Sequence, residues 1–226
     1  MAKPFDGVIF DMDGLMMDTE SIGFAAFDKA MRECGYSYRK ETYTDLIGLD
    51  AGSAKRALYK KYGDRFPFET VCRKMNRHEQ NHIRKYGIPL KRGILELLTF
   101  LERHSIEKGV GTSTAKEKAI KKLTCTSLKR FFTVIVGGDE VDRGKPEPDI
   151  FLKVAAGLRV SPARCFVIED SEPGIWAAFR GGMMPIMIPD FVPPSETVNR
   201  LACRILPDHF AVIEFLREIL EKGCET

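Results

Sequence analysis

The sequence predicts an α/β fold, a doubly wound parallel sheet with an α-helical insertion close to its N-terminal end. Three observations carry that expectation. Short, apolar and β-branched runs recur at residues 7–10, 108–112, 133–137, 165–168 and 185–188, the pattern of strands buried on both faces. Helix-patterned segments alternate with them, which implies parallel strands joined by right-handed crossovers. Residues 17–87 break the rhythm, being charged, helix-patterned and almost free of strand-like runs.

The elements follow in order. The run GVIF at 7–10 reads as the first strand and ends at Asp11, with Asp13 and Gly14 just beyond. The chain enters the insertion near 16–19, and Gly87, Pro89 and Gly93 punctuate its return. We therefore expect a core domain built from 1–16 and 88–226 and a helical cap domain at 17–87. In the core, Ile94, Leu97, Leu98 and Leu101 place one apolar face on a helix over 94–103. Further helices are expected at 114–123, 149–158 and 210–221. Ser171 and Pro173 mark another helix start, as cap and first-turn residue, and Asp149 begins its own helix.

Composition narrows the function. The 226 residues are 44% hydrophobic, enough for substantial cores, and 35 basic against 32 acidic side chains leave a formal charge of only +3. Such a balance calls for neither nucleic acid nor an anionic membrane as partner, and nothing in the chain demands an obligatory protein partner. Cys34, Cys72, Cys125, Cys165, Cys203 and Cys224 are scattered without a CxxC pair, as reduced thiols are. With no signal-peptide pattern and no span-length apolar run, a cytoplasmic location is expected.

In an open parallel sheet, ligands bind outside the carboxyl ends of the strands, and the polar residues of this chain collect there. Asp11 and Asp13 follow the first strand, and Thr112, Ser113 and Thr114 follow the second. Lys145 lies in the loop after the third, while Glu169 and Asp170 end the fourth. A lone Asp-x-Asp is a common turn feature, but the ordered set at four strand ends is specific. Phosphoryl transfer through a covalent aspartyl phosphate requires such a set. A carboxylate can attack phosphorus and divide one difficult displacement into two, provided the repulsion between anions is relieved. Mg²⁺ favours oxygen ligands and keeps several waters, which suits Asp11, Asp170 and the carbonyl of Asp13, with Glu169 beside them. Lys145 and the Thr112 hydroxyl are expected to bind non-bridging oxygens. The Asp13 side chain is then left to act as general acid and afterwards as base. Asp18, Glu20, Ser113 and Thr114, with the loop over 48–52, are expected to contact the substrate.

These motifs, DMDG at 11–14, DTE at 18–20, GTST at 111–114, GKPEPD at 144–149 and IEDSEPGI at 168–175, span nearly the whole chain. The sequence resembles the haloacid dehalogenase-like (HAD) hydrolase superfamily, in those members whose Rossmann-like core carries an inserted helical cap. β-Phosphoglucomutases and small sugar or nucleoside phosphate phosphatases are of this kind. The resemblance implies Asp11 as nucleophile, Asp13 as acid and base, Thr112 and Lys145 as stabilising groups, and Asp170 as Mg²⁺ ligand with Glu169 beside it. It also implies a small phosphorylated metabolite as substrate. Arg92-Gly93 departs from the proline-glycine pair usual at the cap exit.

Rival readings are separated by particular residues. A phospho-accepting receiver shares the aspartate, hydroxyl, lysine and Mg²⁺, but has neither the proton-handling Asp13 nor so large an insertion. In dehalogenases of the superfamily the position of Asp13 is not an aspartate, and in phosphonate hydrolases the leaving atom is carbon. The nearest alternative is a phosphosugar mutase, which needs cap groups for a second phosphate. Gly23 and Ala51 stand where those mutases carry histidine and arginine, which favours hydrolysis. Trp176 reads as core or interface, His78 and His82 as a solvated helix face, and the basic run over 116–122 as the wet side of a helix.

Overall fold

The computed structural model describes residues 3–47 and 51–222, so positions 48–50 of the loop expected near substrate, and Cys224, lie outside the described residues. The chain divides into two compact units, Met1–Asp18 with Pro89–Thr226, and Thr19–Ile88.

In the first unit β1 (Gly7–Phe10) is central. It pairs in parallel with β2 (Glu107–Gly111) and with β4 (Cys165–Glu169), Phe10 standing opposite both Val110 and Ile168. β3 (Val134–Val136), β5 (Met184–Met187) and β6 (Arg204–Ile205) extend the sheet, giving the order β3-β2-β1-β4-β5-β6 among the described residues. That is the order of a doubly wound sheet, with its switch point beside β1. The register sets Asp11 level with Glu169, and the Asp11 N–H donates to the Ile168 carbonyl at 3.0 Å. The two-residue β6 is too short to show a period, and the reading of the sequence did not anticipate it. The helix α9 (Glu196–Leu201), capped by Ser195 on the Val198 N–H, was likewise not anticipated.

Core burial follows from the strand composition. β1 and β4 are buried along their whole lengths, and α7 (Asp149–Leu158) lays Phe151, Val154 and Leu158 onto the sheet. A Cβ at Gly109 would lie 2.4 Å from Val154 Cγ1, so the glycines of β2 let this helix sit closer than any side chain would allow. The helix α5 (Ile94–Arg103) buries Ile94, Leu97, Leu98 and Leu101, as their spacing indicates, and packs against α10 (His209–Lys222). The remaining helices of this unit are α6 (Lys116–Cys125) and α8 (Glu172–Arg180).

The second unit is helical: α1 (Thr19–Glu33), α2 (Lys40–Thr44), α3 (Ala51–Tyr62) and α4 (Phe68–Tyr86). Here α1 packs along α4, and Phe24, Phe27, Tyr38 and Tyr43 meet edge to face or tilted. His78, expected on a solvated face, is instead drawn in against Glu33, with Nε2 at 2.9 Å from the carboxylate. The charge at Glu33, shared with Lys74 at 2.9 Å, outweighs the tendency of that face to stay wet.

The two linkers pair where the chain leaves and re-enters the first unit. The Lys91 N–H donates to the Met16 carbonyl and the Asp18 N–H to the Pro89 carbonyl. Lys91 Nζ lies 2.7 Å from Asp190 and 3.3 Å from Asp18. Asp18, expected at substrate, is thereby drawn into this junction. At Arg92-Gly93, Gly93 takes a left-handed φ of 86°, and the His209 Nδ1–H donates to the Arg92 carbonyl at 3.1 Å. Among the described residues, no helix is long and apolar enough to cross a membrane.

Burial of His209 carries a pH signature. Loss of hydration holds its imidazole down to about 4 from the usual 6.5. Between those values the unfolded chain binds a proton that the folded chain refuses, so stability falls as pH falls from 6.5 to 4, by on the order of 3 kcal/mol. Thermal unfolding at pH 7 and pH 5 should show His209→Gln losing less between the two than wild type. Equal losses would show that another group dominates the acid limb.

Candidate active site

The site begins at the strand ends. Asp11 is only 7% exposed, and Lys145 Nζ reaches it at 2.5 Å while also donating to Glu169 Oε1 at 2.6 Å. Lys145 belongs to a loop clamped at both sides, where Arg143 grips Asp149 through two hydrogen bonds and Arg180 bonds Glu147 at 2.6 Å. Its ammonium also lies 4.7 Å from the centre of the Phe151 ring. A lysine so enclosed keeps its proton only because two carboxylates face it, and they raise its pKa despite the burial that opposes the charge.

Glu169 is wholly buried, and its second oxygen is used as fully as its first. Oε2 accepts from the N–H groups of Asp170 and Ser171, both at 3.0 Å, and from the Ser171 hydroxyl at 2.8 Å. The first turn of α8 wraps this carboxylate, with Ser171 accepting from the Gly174 N–H and Pro173 in that turn as expected. A Cβ at Gly174 would fall 1.8 Å from Glu169 Oε1. The glycine of the IEDSEPGI motif therefore makes room for the acid that holds Lys145. Glu169, expected among the metal ligands, has its oxygens committed to Lys145 and to α8.

Asp13 is held differently. Thr114 Oγ1 donates to Oδ2 at 2.7 Å, and Lys122 Nζ lies 2.6 Å from Oδ1. Lys122 comes from α6, in the basic run read as a wet face, and that expectation fails at Lys122. Lys116 pairs with Glu140 at 2.9 Å and Lys122 with Asp13, while Lys118 and Lys121 are exposed. The signal was present in the spacing: Lys122 adjoins the buried Ala119 and Leu123 face of its helix. The helix starts at Lys116 rather than at 114, because Thr114 is occupied in the turn and Asp139 caps the Lys116 N–H at 2.7 Å. Thr112 is 1% exposed, and its hydroxyl accepts from the Thr114 N–H at 3.2 Å. Thr114, expected at substrate, thus bridges Asp13 and Thr112, whereas Ser113 is exposed. Glu20 lies in the inserted unit, where its carboxylate accepts from the Tyr43 hydroxyl at 3.1 Å.

The electrostatics of the rim are lopsided. Burial, with Glu169 and Asp13 adding to it, pushes the Asp11 carboxyl up to about 7 against the opposing pull of Lys145. Lost hydration is the larger cause and repulsion from Glu169 and Asp13 the smaller, and an additional cation beside Asp11 would oppose both. Among the described residues, no group of three or more His, Cys, Asp or Glu is gathered as a ready metal cage. The donor set considered above needs only two carboxylates, Asp11 and Asp170, with the Asp13 carbonyl and water completing an oxygen shell. The residues present fit Mg²⁺ on those terms.

An α/β sheet with an aspartate, a buried lysine and a second aspartate at its switch point defines a class of hydrolases. The chain belongs to the haloacid dehalogenase-like hydrolase family, whose model matches residues 8–188. A phosphorylated carbohydrates phosphatase from Thermotoga maritima is 32% identical over 180 residues, covering 79% of this chain and 82% of the relative. A β-phosphoglucomutase from Bacillus subtilis is 33% identical over 186 residues, covering 79% and 81%. The fold matches the solved structure of a HAD-family hydrolase from Deinococcus radiodurans with bound phosphate and sodium. Its TM-score is 0.81 at 24% identity, over 96% of this chain and 97% of that one.

The contact at Gly174 yields a direct test. Gly174→Ala should displace Glu169, free Lys145 from its second partner, destabilise the fold by about 1–3 kcal/mol and lower turnover of a phosphate ester at least about tenfold. Thermal unfolding with steady-state kinetics on the same preparation checks both. Wild-type turnover in that variant would show that Glu169 does not set the position of Lys145.

Proposed function

We propose that this enzyme is a Mg²⁺-dependent phosphatase of small phosphorylated metabolites, a sugar phosphate or a nucleoside monophosphate. The observation that carries the reading is the pairing of the buried Asp11 with Lys145, with Asp13 two residues further on. Asp11 attacks phosphorus, the bond from phosphorus to the ester oxygen breaks, and Asp13 gives its proton to the departing alkoxide. Water then attacks the aspartyl phosphate, Asp13 takes its proton, and inorganic phosphate leaves with Asp11 restored. Lys145 and the Thr112 hydroxyl hold the non-bridging oxygens as charge moves onto them. Bound Mg²⁺, held by Asp11, Asp170 and the Asp13 carbonyl, supplies the positive charge that lets one anion approach another.

The second reading, a phosphosugar mutase, is favoured by the similarity to the Bacillus subtilis enzyme. Gly23 speaks against it. A Cβ there would lie 2.4 Å from the Tyr43 hydroxyl, which hydrogen-bonds Glu20, so a phenol and a carboxylate occupy the place where those mutases carry a histidine. Phosphorus NMR on a panel of sugar phosphates and nucleoside monophosphates tests the choice. Inorganic phosphate should accumulate with Mg²⁺, stop with EDTA and resume when Mg²⁺ is restored. Conversion of β-glucose 1-phosphate to glucose 6-phosphate without phosphate release would establish the mutase, and full activity in chelator would remove Mg²⁺ from the account.

A further inference from the structure

Asp13 is asked to do two opposite things at one place, give a proton to the leaving oxygen and take one from water. Both demand that its carboxyl group point along one direction, since proton transfer needs the heavy atoms within hydrogen-bond reach. An aspartate has two side-chain torsions, and its terminal one is broad and soft. Something beyond the side chain itself must fix that torsion. Two groups from elsewhere in the fold do: the Thr114 hydroxyl takes Oδ2 at 2.7 Å, and Lys122 Nζ takes Oδ1 at 2.6 Å.

We propose that Lys122 is a positioning residue of this enzyme, acting through Asp13 to orient the proton-transferring carboxyl. The proposal rests on the phosphatase reading above. Several features separate this contact from a chance surface ion pair. Lys122 and Asp13 are both about three-quarters buried, with side-chain exposures of 26% and 23%. They are 109 residues apart in sequence, so the contact exists only because the fold brings α6, packed against β3, within reach of the loop after β1. The start of α6 is anchored by Asp139 on the Lys116 N–H and by the Lys116–Glu140 pair, which fixes the helix that carries Lys122. On the same helix Lys121 takes the ordinary surface option, an exposed pair with Glu117 four residues away, of the kind that contributes little.

Thr114 and Lys122 divide the work. The hydroxyl ties Asp13 to the Thr112 turn, through the Thr114 N–H donated to Thr112 Oγ1, and so links the acid to the residue expected to bind phosphate. The ammonium occupies the other oxygen with a charge-assisted bond, which is shorter and stronger than a neutral one. With both oxygens held, the carboxyl plane is set before substrate arrives, as preorganised catalysis requires. For protonation of a leaving oxygen, one of these bonds must yield, and the long, flexible lysine is better able to follow than the short threonine.

The test uses kcat/KM, which reports the steps through departure of the leaving group and so isolates the first proton transfer. Two esters are compared, 4-nitrophenyl phosphate, whose leaving group needs no proton, and the alkyl phosphate that wild type hydrolyses fastest in the panel. Lys122→Met should lower kcat/KM on the alkyl ester at least about tenfold more than on the aryl ester, a modest part of what general acid catalysis supplies. Lys122→Arg, which keeps the donor, should recover most of that ratio. In an Asp13→Asn background, Lys122→Met should shift the ratio by less than about twofold, because a residue acting only through Asp13 has nothing left to act on. If wild type hydrolyses both esters and Lys122→Met lowers them by the same factor, or shifts the ratio equally with and without Asp13, Lys122 has only a structural role and the proposal is overturned. If wild type hydrolyses neither ester, the phosphatase reading fails and the role of Lys122 fails with it.

Discussion

The structure turns on one buried lysine shared by two carboxylates. Lys145, 6% exposed in its side chain, lies between Asp11 at 10% and Glu169 at 0%. Placing three charged groups in the interior costs hydration, and only close geometry with every lone pair used offsets it. Glu169 meets that condition through the first turn of α8. Asp11 is paired with Lys145, yet burial first and its acidic neighbours second push its carboxyl up to about 7. Losing one member of such a cluster leaves an unpaired buried charge, at a cost of about 3–5 kcal/mol, so the site and the stability of the sheet are tied together.

Much of the fold exists to hold that cluster. The register of β1 on β4 sets Asp11 level with Glu169 before any side chain is considered. The glycine of β2 at 109 lets α7 approach the sheet, and with it Phe151, whose ring lies under the Lys145 ammonium. Gly174 gives the Glu169 carboxylate its space at the start of α8. The Arg143–Asp149 and Arg180–Glu147 pairs are exposed and individually weak, yet they bracket the loop that delivers Lys145.

Legibility in the sequence followed the range of the interactions. Strands and long helices were readable because their apolar periods are local, and helices at Ile94–Arg103 and Asp149–Leu158 have the bounds their patterns indicate. The candidate site residues stood out because each lies at or just beyond a strand end, where the geometry of a parallel sheet makes position meaningful. What escaped was the division of labour among like residues. Glu169 and Asp170 adjoin in sequence, and only the wrapping of α8 distinguishes the acid that holds a lysine. Lys122 looked like its neighbours Lys118 and Lys121 because the partner that distinguishes it is 109 positions away. Asp18 was drawn off by Lys91, another long-range pair. The two-residue β6 carries too few side chains to show any alternation.

The central claim is that Asp11 becomes covalently phosphorylated, and trapping that species tests it most directly. Wild-type protein mixed with its preferred phosphate ester and Mg²⁺, quenched in acid within one turnover and digested, should yield the peptide containing Asp11 heavier by one phosphoryl group. Asp11→Asn, treated identically, should not. Phosphoryl transfer to a different residue, or full turnover by the asparagine variant, would contradict the account.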